Sequence, residues 1–263
     1  MIPSEFDIAG RTVIVTGAAR GIGAGIVKVL ARAGAGVLVT ALTERYLKPL
    51  GEELKAAGHD VETLAADATN AEDWRLTTDV ALSRWGRVDA LVNNLGDAIR
   101  GNLVPLAESG DDTPLSEEEW QRVVGINLTH AFLGCRAIGP HFIEKRKGKV
   151  INISGIAARR GSPGMLAYSV AKAGLVRFTQ TVAQEWAPYG ITVNSIGPGY
   201  FPDPEHSDPE KIAHAREQAL RTVPLGRVGE PVEVGFLALY LVSDASNYLT
   251  GETIYLDGGV SSA

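Results

Sequence analysis

Seven short apolar runs alternate with longer amphipathic stretches along the whole of this 263-residue chain. The runs at 12–16, 37–39, 61–65, 88–93, 149–153, 191–195 and 253–256 have strand length and β-branched content. Helical periodicity fills the intervals at about 21–33, 44–57, 71–85, 116–145, 165–186 and 231–242. Strands that alternate with helices, and are apolar on both faces, predict an α/β fold: a parallel seven-stranded sheet with helices on both faces. No repeat, low-complexity tract or linker interrupts the alternation, so residues 1–263 read as a single domain.

Composition narrows the function classes. The hydrophobic fraction is 45% and the charged fraction 21%, values of an ordinary globule. A net charge of −6 speaks against a nucleic-acid partner, which calls for a basic face. Cys135 is the sole cysteine, which leaves no intrachain disulfide or thiolate cluster and fits a reducing cytoplasm. Residues 1–10 carry Glu5 and Asp7 and lack the apolar core of a secretory leader, and the apolar run 236–242 is far too short to cross a bilayer. No membrane partner is expected.

His59, His130, His141, His206 and His214 show no metal-ligand spacing, so no metal is expected and they read as surface or packing residues. Trp74, Trp85, Trp120 and Trp186 lie in helical patterns and are expected to pack on the sheet. Glu117, Glu118 and Glu119 read as dipole-favourable charge at a helix start. Two segments break the pattern, one at about 97–114 and one at 197–209. Both follow predicted strands, where loops of an open parallel sheet surround a ligand crevice.

Thr16-Gly17-Ala18-Ala19-Arg20-Gly21-Ile22-Gly23 joins the first strand to the first helix. Glycines at such a junction allow a tight turn and close approach of a pyrophosphate, which the N–H groups of the helix start then bind. The alternative is a tight turn alone. Tyr168 and Lys172 stand four residues apart in a helical stretch, one turn apart on one face. A neighbouring ammonium favours the phenolate, so the pair predicts a tyrosine with a lowered pKa, suited to moving a proton at a carbonyl oxygen.

These motifs, in the order Gly-x3-Gly-x-Gly, Asn93-Asn94-Leu95-Gly96, Asn127, Tyr168/Lys172, Pro198-Gly199 and Asp257-Gly258-Gly259, resemble the short-chain dehydrogenase/reductase family over nearly the whole chain. Within it, the sequence looks similar to 3-oxoacyl-carrier-protein reductases and to sugar and polyol dehydrogenases. The resemblance implies a single-domain, doubly wound (Rossmann-like) fold and hydride transfer between a nicotinamide cofactor and a carbonyl or alcohol. It also implies a homodimer or homotetramer acting on a small molecule, with substrate loops at about 97–114 and 199–224.

By the same resemblance, Tyr168 is the acid/base, Lys172 tunes it and holds the nicotinamide ribose, and Asn127 serves a proton relay to Lys172. A mid-helix Asn also bonds backbone in its own right. Gly17, Ala19, Arg20, Gly21, Ile22, Gly23, Thr43, Asp67, Ala68, Asn94, Gly96, Pro198, Gly199 and Phe201 would join Tyr168 and Lys172 around the cofactor. Asp67 matches the family's adenine contact; as a plain helix N-cap it would look the same. Ala41 stands where NAD-using members carry Asp, and Arg20 and Thr43 suit a 2′-phosphate, so NADP(H) is favoured. Glu44 at the following helix start keeps NAD(H) open.

Three residues depart from the family pattern. The family's substrate-polarising serine, thirteen residues before the tyrosine, falls on Gly155. Ser154 is its neighbour, but a one-residue step along a regular strand reverses the side chain, so Ser154 substitutes only if the strand has ended or bulges. A displaced donor, an inactivated chain and a nucleotide-binding relative of the enzyme all fit. Leu95 replaces a usual Ala near the cofactor. Asp203 stands where a Thr commonly meets the nicotinamide carboxamide, and reads either as a ligand-facing acid or as a surface acid in a Pro-rich loop.

Overall fold

Val13 and Val15 turn to one side of the first strand and Ile14 to the other, and all three are fully buried. The same alternation holds for Val37 and Val39 against Leu38, and for Ile151 and Ile153 against Val150. The computed structural model describes residues 3–105, 114–203 and 205–262. In it the strands are β1 (Thr12–Val15), β2 (Gly36–Ala41), β3 (Val61–Ala65), β4 (Ala90–Asn93), β5 (Gly148–Ile153), β6 (Ile191–Pro198) and β7 (Thr253–Leu256). They form one parallel sheet in the order β3-β2-β1-β4-β5-β6-β7, with Val13 paired to Val37 on one side and Ala90 on the other.

The helices are α1 (Gly21–Arg32), α2 (Glu44–Ala56), α3 (Ala71–Trp85), α4 (Glu117–Val124), α5 (His130–Lys145), α6 (Leu166–Trp186), α7 (Pro209–Thr222) and α8 (Pro231–Val242). One face of the sheet packs on Ile26, Val27 and Leu30 of α1 and Val234, Ala238 and Leu241 of α8. Those two helices touch backbone to backbone: a Cβ at Gly25 would lie 2.4 Å from the carbonyl carbon of Pro231. The opposite face packs on Trp74 of α3, Ile138 and Phe142 of α5, and Val182 of α6. The central strands β1, β4, β5 and β6 are thus covered twice, while the edge strands β3 and β7 stay partly exposed.

The order reverses between β1 and β4, so connections leave the sheet in opposite directions there and open a crevice at the carboxyl ends. Thr16 to Gly23, Asn94 to Gly96, Ser154 and Gly155, and Pro198 and Gly199 all leave strands at that edge.

Three expectations change. The helix expected over 116–145 is broken into α4 and α5 by a π-helical turn at Gly125–Thr129. The segment expected as a loop over 199–224 contains α7, started by Asp208, whose side chain accepts from Glu210 N, with Pro209 in the first turn. Trp74 is buried, but Trp120 is 37% exposed on α4 rather than packed on the sheet. Glu108, Gly110, Asp111 and Asp112 of the first loop, and Pro204 of the second, lie outside the described residues. Among the described residues no helix is long and apolar enough to cross a membrane.

Candidate active site

The junction after β1 is built for close backbone approach. Gly17 and Gly21 adopt φ 58° and 55°, left-handed values that glycine tolerates without strain. A Cβ at Gly23 would fall 2.5 Å from Ala18 Cα and 2.6 Å from Asn94 Nδ2, so only glycine fits. Asn94 anchors the loop by donating from Nδ2 to Thr16 O (3.1 Å) and Gly17 O (2.9 Å). Arg20, the N-cap of α1, provides no side-chain cap, which leaves the first-turn N–H groups facing the crevice.

Beside this loop lies a cleft of about 710 Å³. Gly17, Arg20, Gly21, Ile22 and Gly23 line one end, and Asn94, Gly96, Tyr168, Lys172, Pro198, Gly199 and Phe201 the other. A second cavity of about 560 Å³ continues it past Gly17 and Leu95 to Ala41, Asp67 and Ala68. A glycine cradle leading to a long cleft over uncapped helix N–H groups fits a dinucleotide.

Two predicted contacts lie elsewhere. Ala19 is buried in the α1 core rather than on the cleft, and Thr43 is the exposed N-cap residue of α2 and lines neither cavity. The N-cap alternative for Asp67 is also overturned. Asn70 caps α3, while Asp67 accepts from Thr69 N (2.8 Å) and Thr69 Oγ1 (2.7 Å) at the cavity wall.

Asn127 sits in the π-helical turn, a distortion that often marks functional positions. Its Nδ2 donates to Asp97 O (2.6 Å) and Val123 O (2.9 Å), while its Oδ1 is buried without a partner. A Cβ at Gly96 would stand 3.1 Å from both Asn127 Oδ1 and Lys172 Nζ, so acceptor and amine converge on the same gap. Lys172 donates to Ile153 O (2.9 Å) and its Nζ lies 5.6 Å from the centre of the Tyr168 ring.

The electrostatics correct the expected pairing. Burial holds the Lys172 amine down to about 7, since no carboxylate compensates for lost water. The Tyr168 phenol is raised rather than lowered, first by burial and then by the charge of Asp97. Proximity to a lysine lowers a phenol only where the lysine keeps its charge, and here burial works against that charge.

His130, one turn beyond Asn127, is fully buried with neither ring nitrogen partnered. Burial, and then the charge of Lys172, hold it at about 3. The unfolded chain therefore binds a proton at this residue between roughly pH 6.5 and 3 while the folded chain does not. Stability is lost as pH falls through that window. His130→Leu is expected to move the acid-unfolding midpoint to lower pH, followed by near-ultraviolet circular dichroism; an unchanged midpoint would count against it.

The two departures near the tyrosine resolve differently. Ser154 is 1% exposed; its N donates to Ile196 O (2.8 Å), and its Oγ shares a hydrogen bond with Ser195 Oγ (2.7 Å) and donates to Ile196 O (3.1 Å). Strand-like bonding continues past Ile153, so the hydroxyl points into the sheet and does not replace the family serine. Gly155 adopts φ 108°, a conformation that side chains rarely enter.

Asp203 is not a surface acid. It is 9% exposed and lines the cleft beside Gly21. Its Oδ1 accepts from Glu205 N (3.1 Å) and His206 N (3.2 Å), and Arg20 stands 4.0 Å from Oδ2. Sequence reasoning missed a buried ladder in which Asn93 Nδ2 donates to Asn152 Oδ1 (2.9 Å) and Asn152 Nδ2 to Thr179 Oγ1 (2.8 Å). Asparagines inside otherwise apolar strands were its available signal. Among the described residues no group of three His, Cys, Asp or Glu side chains is placed to hold a metal.

Comparison with known proteins agrees with this geometry. A family model described as enoyl-(acyl carrier protein) reductase matches residues 17–261. The 3-oxoacyl-acyl-carrier-protein reductase FabG of Chlamydia pneumoniae is 35% identical over 259 residues, covering 98% of this chain and 99% of the relative. The 3beta-hydroxysteroid dehydrogenase 1 of Eggerthella lenta is 34% identical over 257 residues, covering 97% and 95%. Among solved structures, a gluconate 5-dehydrogenase from Burkholderia cenocepacia in complex with NADP and tartrate superposes with a TM-score of 0.87 at 29% identity, over 99% of this chain and 98% of that one. With a parallel Rossmann-like sheet, a glycine cradle at its switch point and relatives matched over almost their full length, the chain belongs to the short-chain dehydrogenase/reductase family of nicotinamide-dependent oxidoreductases.

Proposed function

We propose that this chain is an NADP(H)-dependent oxidoreductase that interconverts a ketone or aldehyde and an alcohol, with Tyr168 as general acid/base. The observation that carries this is the pairing of Tyr168 and Lys172 at one end of the glycine-cradled cleft, with the buried, unpartnered Asn127 Oδ1 beside the Lys172 amine next to Gly96. Asn94 and the glycines of residues 17–23 hold the pyrophosphate, and Asp67 and Ala68 bound the adenine end. When bound, the nicotinamide supplies or accepts the hydride. Tyr168 gives its proton to the carbonyl oxygen in reduction and takes it back in oxidation. Lys172 resupplies that proton from within the protein, and the free Asn127 Oδ1 is the acceptor that holds the water of the relay to Lys172.

Ala41 at the end of β2 supports NADP(H), because no carboxylate there meets a 2′-phosphate, and the Arg20 side chain is 57% exposed. Glu44, the competing acid, is exposed in the first turn of α2. Phe132 on α5 and Val170 on α6, each 47% exposed, support a homodimer or homotetramer. The free, buried Cys135 fits a cytoplasmic location.

A second reading is favoured by Gly155 and the inward-turned Ser154: a nucleotide-binding member with weak or no turnover. One experiment separates the two. Fluorescence titration is expected to show NADPH binding about 10–100-fold tighter than NADH, the value of a charge-assisted bond to phosphate. A carbonyl and alcohol panel with the tighter cofactor is expected to show turnover. Tighter NADH binding overturns the cofactor choice, and binding without turnover favours the second reading.

A further inference from the structure

A carbonyl oxygen under hydride attack is served by two donors, one that delivers the proton and one that holds the developing charge. Among the described residues that line the cleft, only Tyr168 and Ser154 carry side-chain hydroxyls. Ser154 is turned into the sheet toward Ser195 and Ile196. The other polar side chains are engaged too: Asn94 Nδ2 donates to Thr16 O and Gly17 O, and Lys172 to Ile153 O. Arg20 leans toward Asp203.

At Gly155 there is room instead. A Cβ placed there would have Tyr168 Oη and Pro198 O as its nearest neighbours, each at 3.7 Å. An oxygen seated just beyond that position comes within hydrogen-bond reach of the phenol and of whatever the phenol protonates. The φ of 108° makes this space part of the backbone design rather than a truncated side chain. Asp97 borders the same cleft, and a carboxylate accepts hydrogen bonds from hydroxyls.

We propose that the substrate itself brings the second donor: the enzyme acts on vicinal hydroxy-ketones and the diols they form, with the neighbouring hydroxyl seated against Gly155. This rests on the acid/base assignment of Tyr168 and names its substrate class. In reduction, the hydride forms a C–H bond at the carbonyl carbon, the C=O π pair moves to oxygen, and Tyr168 protonates that oxygen. The nicotinamide is oxidised, and the neighbouring hydroxyl keeps its proton throughout, donating a hydrogen bond to the reacting oxygen as charge builds. A protein hydroxyl on residue 155 would do the same work from the other side.

The test compares hydroxyacetone, methoxyacetone and butanone, with NADPH and with NADH. Methoxyacetone keeps the electron-withdrawing oxygen and loses the donor; butanone matches hydroxyacetone in size. Hydroxyacetone is expected to exceed both in kcat/KM by about 10²-fold, the worth of one oxyanion donor. Gly155→Ala fills the space without adding a donor and is expected to erase most of that preference, with NADPH titration reporting that the variant is folded. Equal kcat/KM for hydroxyacetone and methoxyacetone overturns the inference and leaves the Tyr168 assignment standing. Turnover of none of the three, despite NADPH binding, overturns both. If Gly155→Ala does not fold, the comparison in the unaltered protein decides alone.

Discussion

Tyr168→Phe is expected to lower kcat by about 10²–10⁴-fold, the range of a positioned acid/base group, while NADPH affinity stays within about threefold. The ring stays because Phe keeps the packing at the start of α6; only the Oη that faces Gly155 is lost. No other hydroxyl among the described lining residues takes its place, since Ser154 is bonded into the sheet. The pH profile adds a check. Burial and Asp97 raise the Tyr168 phenol, so in the free protein it carries its proton at neutral pH. Reduction, which uses that proton, should run at neutral pH, and alcohol oxidation, which needs it removed, should climb toward alkaline pH. Turnover of Tyr168→Phe within tenfold of the parent would sink the assignment.

Lys172→Met is expected to do two opposite things: abolish measurable turnover and stabilise the cofactor-free protein by roughly 2–4 kcal/mol at pH 7. The amine is fully buried and held at about 7, against an ordinary 10.5 in the unfolded chain. Between those values the unfolded state binds more protons, so this residue costs stability fully below pH 7, and the cost fades as pH rises toward 10.5. At about 1.4 kcal/mol per unit the penalty near neutrality is several kcal/mol, from which the lost bond to Ile153 O subtracts about one. Methionine fills a similar volume without charge. Thermal unfolding of the cofactor-free proteins at pH 7 and pH 10 tests this. The variant should melt higher at pH 7, with the gap shrinking at pH 10; a lower melting point at pH 7 would refute the cost.

Much of the fold was legible because local signals and tertiary context agree. β1, β2 and β5 are buried on both faces, so most of their positions are apolar. The glycine junction was readable because the requirement is local: Gly17 and Gly21 need positive φ, and Gly23 needs no side chain. α7 was missed although its start signal, Asp208 followed by Pro209, was present. Prolines crowd the segment before it, and only Ala219 of the helix is buried, so it shows little apolar stripe. The break at Gly125–Thr129 was invisible because helical periodicity passes smoothly through it, and only the structure brings the unpartnered Asn127 Oδ1 beside Lys172 next to Gly96.

Asp203 and Ser154 show the limit of spacing. Sequence distance placed both near the right strand ends. Whether Asp203 faces water or a cleft depends on Arg20 and Gly21, residues far back in the chain that fold over it. Whether Ser154 is free depends on Ser195 and Ile196 of the neighbouring strand.

The sequence by itself determined the parallel doubly wound sheet, the glycine cradle and the four-residue step that stacks Tyr168 and Lys172, because each follows from backbone geometry over a few residues. Only the tertiary structure decided the charges and directions of those groups. Solvation is set by everything that packs around a side chain, so burial raised the tyrosine that a nearby lysine was expected to lower and drove the lysine itself to about 7, while the neighbouring strand engaged the hydroxyl of the one adjacent serine.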